Sequence, residues 1–152
     1  MLFLMRHGEA GWAALTDESR TLTDRGVAFV RQQAATYQKP LESVVRIVAS
    51  PFTRTQQTAK LMQECLSQPV EIITDARITP DSSIPDAVTA LEENWPKEDN
   101  ESLLVITHQP LIGLLTSHFV NGHIFNPFPY DPGQLNTIDM LWPGSASGII
   151  QP

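Results

Sequence analysis

The chain opens on Met1-Leu2-Phe3-Leu4-Met5, an apolar run that stops at Arg6. A short continuous apolar run bounded by polar and glycine residues suits a strand buried on both faces, the central position of a parallel sheet. The period then changes. Val27, Val30, Ala34 and Tyr37 recur at helical spacing behind Thr23, a suitable N-cap, predicting a helix from Asp24 to about Tyr37 with Pro40 close behind it. The alternation repeats. Val44 to Ala49 reads as a second strand, and Ser50-Pro51 starts a helix whose stripe is Thr58, Ala59, Met62, Cys65 and Leu66. Val70 to Thr74 predicts a third strand, followed by a helix near Ser83 to Trp95 that carries Ile84, Val88 and Leu91 and stops at Pro96. Leu103 to Ile106 is the fourth strand, and a helix from about Pro110 places Leu111, Leu114, Leu115 and His118 on one face. Asn121 to Pro132, rich in proline and aromatics, reads as a loop. Leu135 to Trp142 and the stretch around Gly148 to Ile150 are strand candidates on either side of the Pro143-Gly144-Ser145 turn signal.

Four strand-helix alternations imply an α/β fold: one three-layer domain over residues 1–152, with a mainly parallel sheet, helices on both faces and antiparallel C-terminal strands. A length of 152 residues suits one domain, and neither repeats nor a linker interrupt it. The opening apolar run is too short for a signal peptide or a membrane span. One cysteine, Cys65, excludes an internal disulfide and favours a reducing cytoplasm; its place on the helix stripe makes it a packing residue. A net charge of -7 without a clustered basic stripe works against nucleic-acid or anionic-membrane binding, so any anion site must be local. His7, His108, His118 and His123 show no metal-ligand spacing, and no metal site is expected. His118 reads as a hydrogen-bonded core residue and His123 as a solvated one.

In an open α/β sheet, ligands bind at the carboxyl ends of the strands. The first strand leads into Arg6, His7, Gly8 and Glu9, the second into Ser50, Pro51 and Arg54, and the fourth into Thr107, His108 and Gln109. Arginine presents a planar fork of donors to phosphate oxygens, and histidine provides either a nucleophilic nitrogen or a cationic donor. Together they suggest a phosphate pocket able to attack phosphorus. Gly8 leaves room for backbone and substrate to approach His7. If the loop before the fifth strand climbs back to this edge, it brings Gly133 and Gln134 to the mouth; Phe125, Phe128 and Tyr130 then either form a lip for a partner or, as the more economical reading, cover the core.

The segments LFLMRHGEA, ASPFTRTQQTA and VITHQPLIG, in that order at three strand ends, resemble the signatures of the histidine phosphatase, or phosphoglycerate-mutase-like, superfamily. The first and third of these, the DESRTLTDRG stretch and the short chain are most similar to the SixA-type phosphohistidine phosphatases. The resemblance implies a phosphoglycerate-mutase-like fold in which the fourth strand lies beside the first, transient phosphorylation of His7, and phosphoryl contacts from Arg6, Arg54 and His108. It implies no cofactor, and it suggests that Arg20 lines the site. It also exposes a departure: many members carry a general acid after the third strand, where this chain reads Thr74-Asp75-Ala76-Arg77-Ile78-Thr79-Pro80. Arg77 stands where relatives place a glutamate, and Asp75, Asp81, Glu9 or no residue at all takes its part. A weak or absent acid suits a phosphoramidate, whose imidazole leaving group is far better than an alkoxide. The short Asp75 to Ser102 segment has no room for a cap, leaving a site open to a phosphohistidine carried on a protein, such as a histidine phosphotransfer domain or phosphotransferase-system component. A phosphatase of small phosphate monoesters is the alternative. A mutase, which needs a more enclosed site, and a noncatalytic phospho-ligand module, which needs no histidine nucleophile, stand further off.

Overall fold

In the computed structural model, which describes residues 1–151, the opening apolar run forms β1, Leu2–Arg6. It lies between β4, Ser102–Thr107, in parallel register and β5, Leu135–Asp139, in antiparallel register. With strands on both edges and helices on both faces, β1 and β4 have no polar side to offer, and every residue of β4 is buried. β2, Val44–Ala49, and β3, Glu71–Thr74, extend the parallel part, and β6, Ile149–Gln151, closes the other edge, in the order β3-β2-β4-β1-β5-β6. The expected α/β sheet with antiparallel C-terminal strands is therefore present.

Successive residues of the central strands feed separate cores. Leu2, Leu4, Leu103 and Val105 pack in a cluster with Ala87, Ala90 and Leu91 of one helix and Leu111, Ile112, Leu115 and Phe119 of another. Phe3, Met5, Leu104 and Ile106 pack on the opposite face with Val30, Ala34, Ala59 and Met62. The helices are α1, Asp24–Thr36; α2, Gln38–Leu41; α3, Thr53–Glu64; α4, Ile84–Glu93; and α5, Leu111–Asn121. α1 and α3 cover one face, α4 and α5 the other. Each fully buried leucine of β1 or β4 contributes about 1.5–3 kcal/mol through the area it removes from water.

Local chemistry explains the helix starts. Thr23 caps α1 by accepting from the Gly26 N–H, and Ser83 caps α4 by accepting from the Asp86 N–H. α5 stops at Gly122, whose φ of 73° suits a residue without Cβ. Pro40 falls inside the short α2, in a first turn that needs no N–H from it. The Pro51 segment is a lead-in, and α3 begins only at Thr53. α3 also ends at Glu64, so Cys65 lies beyond the buried stripe in an exposed turn, contrary to the packing role expected of it. Between β3 and β4 the chain makes one 3-10 turn, Ala76–Ile78, and the single helix α4. No helix among the described residues is long and apolar enough to cross a membrane.

Candidate active site

Parallel pairing carries three segments to one edge of the sheet. Arg6 stands opposite Thr107 in the β1/β4 register, and the His7 N–H donates to the Thr107 carbonyl at 3.0 Å. His7 and His108 thus leave adjacent strands together, their ring centroids 5.0 Å apart in an edge-to-face arrangement. Ser50 leaves β2 on the far side of β4, and the first turn of α3 brings in Arg54, 4% exposed, against His7.

The hydrogen bonds define the protonation state of His7. Its Nδ1 lies 2.7 Å from the Gly8 carbonyl, which can only accept, so Nδ1 carries the proton. Its Nε2 lies 3.1 Å from Arg54 Nε, which can only donate, so Nε2 presents a lone pair. Burial, aided by the charges of Arg54, Arg6 and Arg20, pushes the pKa of His7 down to about 4, despite the opposing Gly8 bond. At neutral pH the ring is an uncharged imidazole with a free Nε2 pair. His108 is lower still, at about 2, for burial first and then His7 and Arg54.

Around this pair lie cations with unused donors. Arg6 Nη1 donates to the Tyr130 carbonyl at 2.6 Å, while its Nε is buried without a partner. Among the described residues the other buried side-chain polar atom without a partner is His108 Nδ1. Two orphaned groups at one site describe a place made for acceptor oxygens, because leaving such groups dry and unpaired costs about 1–3 kcal/mol each or more. Phe52 supports the wall, with its ring edge to His108 at 4.9 Å and under the Arg54 guanidinium at 4.9 Å.

Gly8 is placed by packing: its N–H donates to Thr58 Oγ1 at 3.1 Å, and an added Cβ would lie 2.9 Å from Val30 Cγ2. The glycine lets α1 close against the end of β1. The loop after α5 returns as expected, with the Gly133 N–H reaching the carbonyls of Arg6 and His7 and the Gln134 carbonyl accepting from the Arg6 N–H. Gln134 turns its side chain to the Asp131 N–H and to Asn136. Tyr130 is buried and Phe128 packs on the core, whereas Phe125 stands exposed. His118 is half-buried with its ring against Phe119, and His123 is exposed.

Arg20 approaches from the loop after Gly8. It donates to the Gly11 and Ala10 carbonyls and to Asp17, and it stacks 3.6 Å from the centre of the Trp12 ring. Asp17 was not among the sequence candidates, yet it holds the terminal nitrogens of Arg54, one through its carbonyl at 2.6 Å and the other through its carboxylate at 2.9 Å. The three-residue spacing of Asp17 and Arg20 hints at their own pairing but not at the link to Arg54. Ser50 Oγ, 2.8 Å from His108 Nε2, is the second contact not anticipated.

Two of the carboxylates considered as acids, Glu9 and Asp75, are committed elsewhere. Glu9 pairs with Arg25 and Thr23, which hold it below its ordinary range. Asp75 caps the 3-10 turn and pairs with Arg77, which likewise keeps it ionised, while Arg77 also reaches Glu93. Asp81 lies exposed after the 3-10 turn. Among the described residues no group of His, Cys, Asp and Glu side chains is arranged to hold a metal ion.

Residues 2–79 match the model of the histidine phosphatase superfamily (branch 1). The chain is 32% identical over 121 residues to phosphohistidine phosphatase SixA of Escherichia coli, covering 80% of this chain and 74% of that one. It is 28% identical to the SixA homolog of Haemophilus influenzae, over 98% of this chain and 92% of the other. Among solved structures it resembles the protein histidine phosphatase SixA complexed with tungstate, with a TM-score of 0.84, 27% identity, and coverage of 99% and 93%.

Proposed function

The chain belongs to the histidine phosphatase superfamily, and we propose that it is a phosphohistidine phosphatase in which Nε2 of His7 takes the phosphoryl group from a histidine of another protein. The observation that carries this reading is the pairing of a neutral His7, its lone pair on Nε2, with two buried, unpartnered nitrogens, Arg6 Nε and His108 Nδ1.

The phosphoryl oxygens settle on Arg6, Arg54 and His108, and the arriving group displaces the Arg54 contact to Nε2. That nitrogen attacks phosphorus in line: the new P–N bond forms on His7 as the substrate P–N bond breaks. When the other nitrogen of the substrate ring is protonated, the leaving group departs as neutral imidazole and asks for no acid, which suits a site whose carboxylates are all engaged with arginines or exposed. Water then attacks phosphorus, releasing inorganic phosphate and restoring the neutral ring. Buried, preoriented guanidinium groups stabilise the charge gathering on the equatorial oxygens in both steps.

Gly8, Arg20 and Gln134 belong to the substrate side of this reading, Gly8 by admitting α1 close to the site, Arg20 by its field on His7, and Gln134 by tying the return loop to Arg6. One domain over residues 1–152 without a cap leaves the mouth accessible to a macromolecule, such as a histidine phosphotransfer domain or phosphotransferase-system component in a reducing cytoplasm. The test offers a phosphohistidine protein and a phosphomonoester to wild type and His7→Ala, with phosphoenzyme trapped in alkali. Expected are a preference for phosphohistidine, a phosphoimidazole on His7, and loss of turnover in the variant. Undiminished turnover by His7→Ala, or a clear preference for the ester, overturns the proposal.

A further inference from the structure

Resting on the reading of His7 and His108 as a phosphoryl site, one buried contact defines a residue outside the set proposed above. Ser50 is fully buried at the end of β2. Its N–H donates to the Ile106 carbonyl, and its own carbonyl accepts from Thr55 Oγ1 at 2.8 Å and Gln56 Nε2 at 2.7 Å, so its backbone is held from several directions. Its Oγ lies 2.8 Å from His108 Nε2 and 3.4 Å from the Phe52 N–H.

A serine hydroxyl has one hydrogen and two lone pairs, and a neutral imidazole has one N–H and one acceptor nitrogen. The Phe52 N–H takes one lone pair of Oγ; if Nε2–H took the other, the buried hydroxyl hydrogen would have no acceptor among the described residues, whereas an accepting Nε2 uses it. The ring's single proton is then on Nδ1, the buried atom that no protein group satisfies. The opposite assignment, with Nε2–H donating to Oγ, would place a bare lone pair on Nδ1 and turn repulsion on a phosphoryl oxygen. Making His108 a cation would also give an Nδ1–H, but at the cost of a buried positive charge beside Arg54, Arg6 and His7, with only Asp17 offsetting it.

We infer that Ser50 is a positioning residue that donates its hydroxyl hydrogen to His108 Nε2, fixing the Nδ1–H tautomer through which a neutral His108 holds a phosphoryl oxygen. It touches no reacting atom and acts through the ring. The two site histidines are then both protonated on Nδ1, by different means: His7 by a main-chain acceptor on Nδ1, His108 by a side-chain donor on Nε2. The first arrangement frees Nε2 to attack, and the second frees Nδ1–H to bind.

The deciding measurement is the nitrogen-15 NMR spectrum of histidine-labelled wild type at neutral pH, alone and with inorganic phosphate. Neutral Nδ1–H signals for His108 in both samples are expected. An Nε2–H or imidazolium ring overturns the inference, whichever substrate the enzyme proves to use, so it can fail separately from the phosphohistidine reading. Ser50→Ala supplies the functional arm: loss of one net hydrogen bond lowers kcat/KM at pH 7 by roughly tenfold. The loss should persist as the pH falls toward 5, because burial keeps the ring uncharged there and it cannot regain Nδ1–H by protonation, and the nitrogen-15 spectrum of the variant should show the Nε2–H form gaining population. Ser50→Thr, which keeps the hydroxyl, should recover the wild-type rate and the Nδ1–H form. A Ser50→Ala enzyme with the wild-type rate and spectrum would also overturn the inference.

Discussion

The two ends of the sheet are built from the same strands and the same helices, and they hold opposite chemistry. At the carboxyl edge Arg6, His7, Arg54 and His108 converge, two of their buried nitrogens left without partners. At the amino edge Trp95, Met140, Leu141 and Trp142 line a cleft of about 390 Å³ together with Glu92, Glu98, Asp99 and Glu101. Trp95 Nε1 donates there to the Leu141 carbonyl at 2.9 Å, and the two tryptophan rings meet edge to face at 6.5 Å. The cleft is roomy and acidic and has a ready aromatic wall, yet its indole donor is satisfied. Volume is therefore the poorer guide: what marks the carboxyl edge is desolvated nitrogens without partners. Against a net charge of -7, the approach of Arg6 and Arg54 to His7 is a local concentration of cations.

Weakening the carboxyl edge should produce the largest effect. Arg54 uses Nε on His7 and its two terminal nitrogens on Asp17, a three-point geometry that a lysine ammonium cannot reproduce at those positions. Arg54→Lys keeps the charge and loses the fork, and kcat/KM on a phosphohistidine protein should fall by about 10²–10³-fold, the range for removing a preoriented donor from a developing charge. A change under threefold would mean that charge alone suffices and that the fork has no special part.

The second effect concerns stability. His7 and His108 take up protons near pH 4 and pH 2 in the folded protein, against 6.5 for a free imidazole. Above that free value neither state gains a proton and the two rings leave stability unchanged. As the pH falls below it, the unfolded chain binds protons that the folded chain refuses, and stability declines until each folded ring titrates. Each ring contributes up to about 1.4 kcal/mol per pH unit over that interval. His7→Gln should remove one ring's share, flattening urea-unfolding free energies between about pH 6.5 and 5.5, a window above the ordinary titration of the carboxylates. An unchanged slope would show that His7 titrates as an exposed histidine does.

Much of the carboxyl edge was legible because it is written in strand ends. A fully apolar run followed at once by Arg6-His7, and another followed by Thr107-His108, places both histidines at one edge once the two strands pair. Arg54 was legible because helix start and strand end are only a few residues apart. What escaped is what depends on side-chain direction or on loop path. Asp17 reaches Arg54 across 37 positions of chain, and nothing in its neighbours announces the contact. Ser50 stood among the strand-end residues, but its bond to His108 needs the β2/β4 register to be known. Cys65 failed for the opposite reason: helical spacing continued on paper past Glu64, where the helix had already ended.

The smallest effect should come from the amino edge and tests whether the two ends are independent. Trp95→Phe removes the bond to the Leu141 carbonyl and part of the contact with Trp142, while the β1 and β4 cores beneath stay filled. Loss of that bond should cost about 1 kcal/mol in urea unfolding. Turnover of phosphohistidine protein should stay within about twofold of wild type, since effects at sites well apart and without shared partners usually add with little coupling. A large activity loss with little loss of stability would mean that β1 and β4, the strands running from one edge to the other, transmit the packing of the tryptophan cleft to His7 and His108. The acidic cleft would then be part of the enzyme's working machinery.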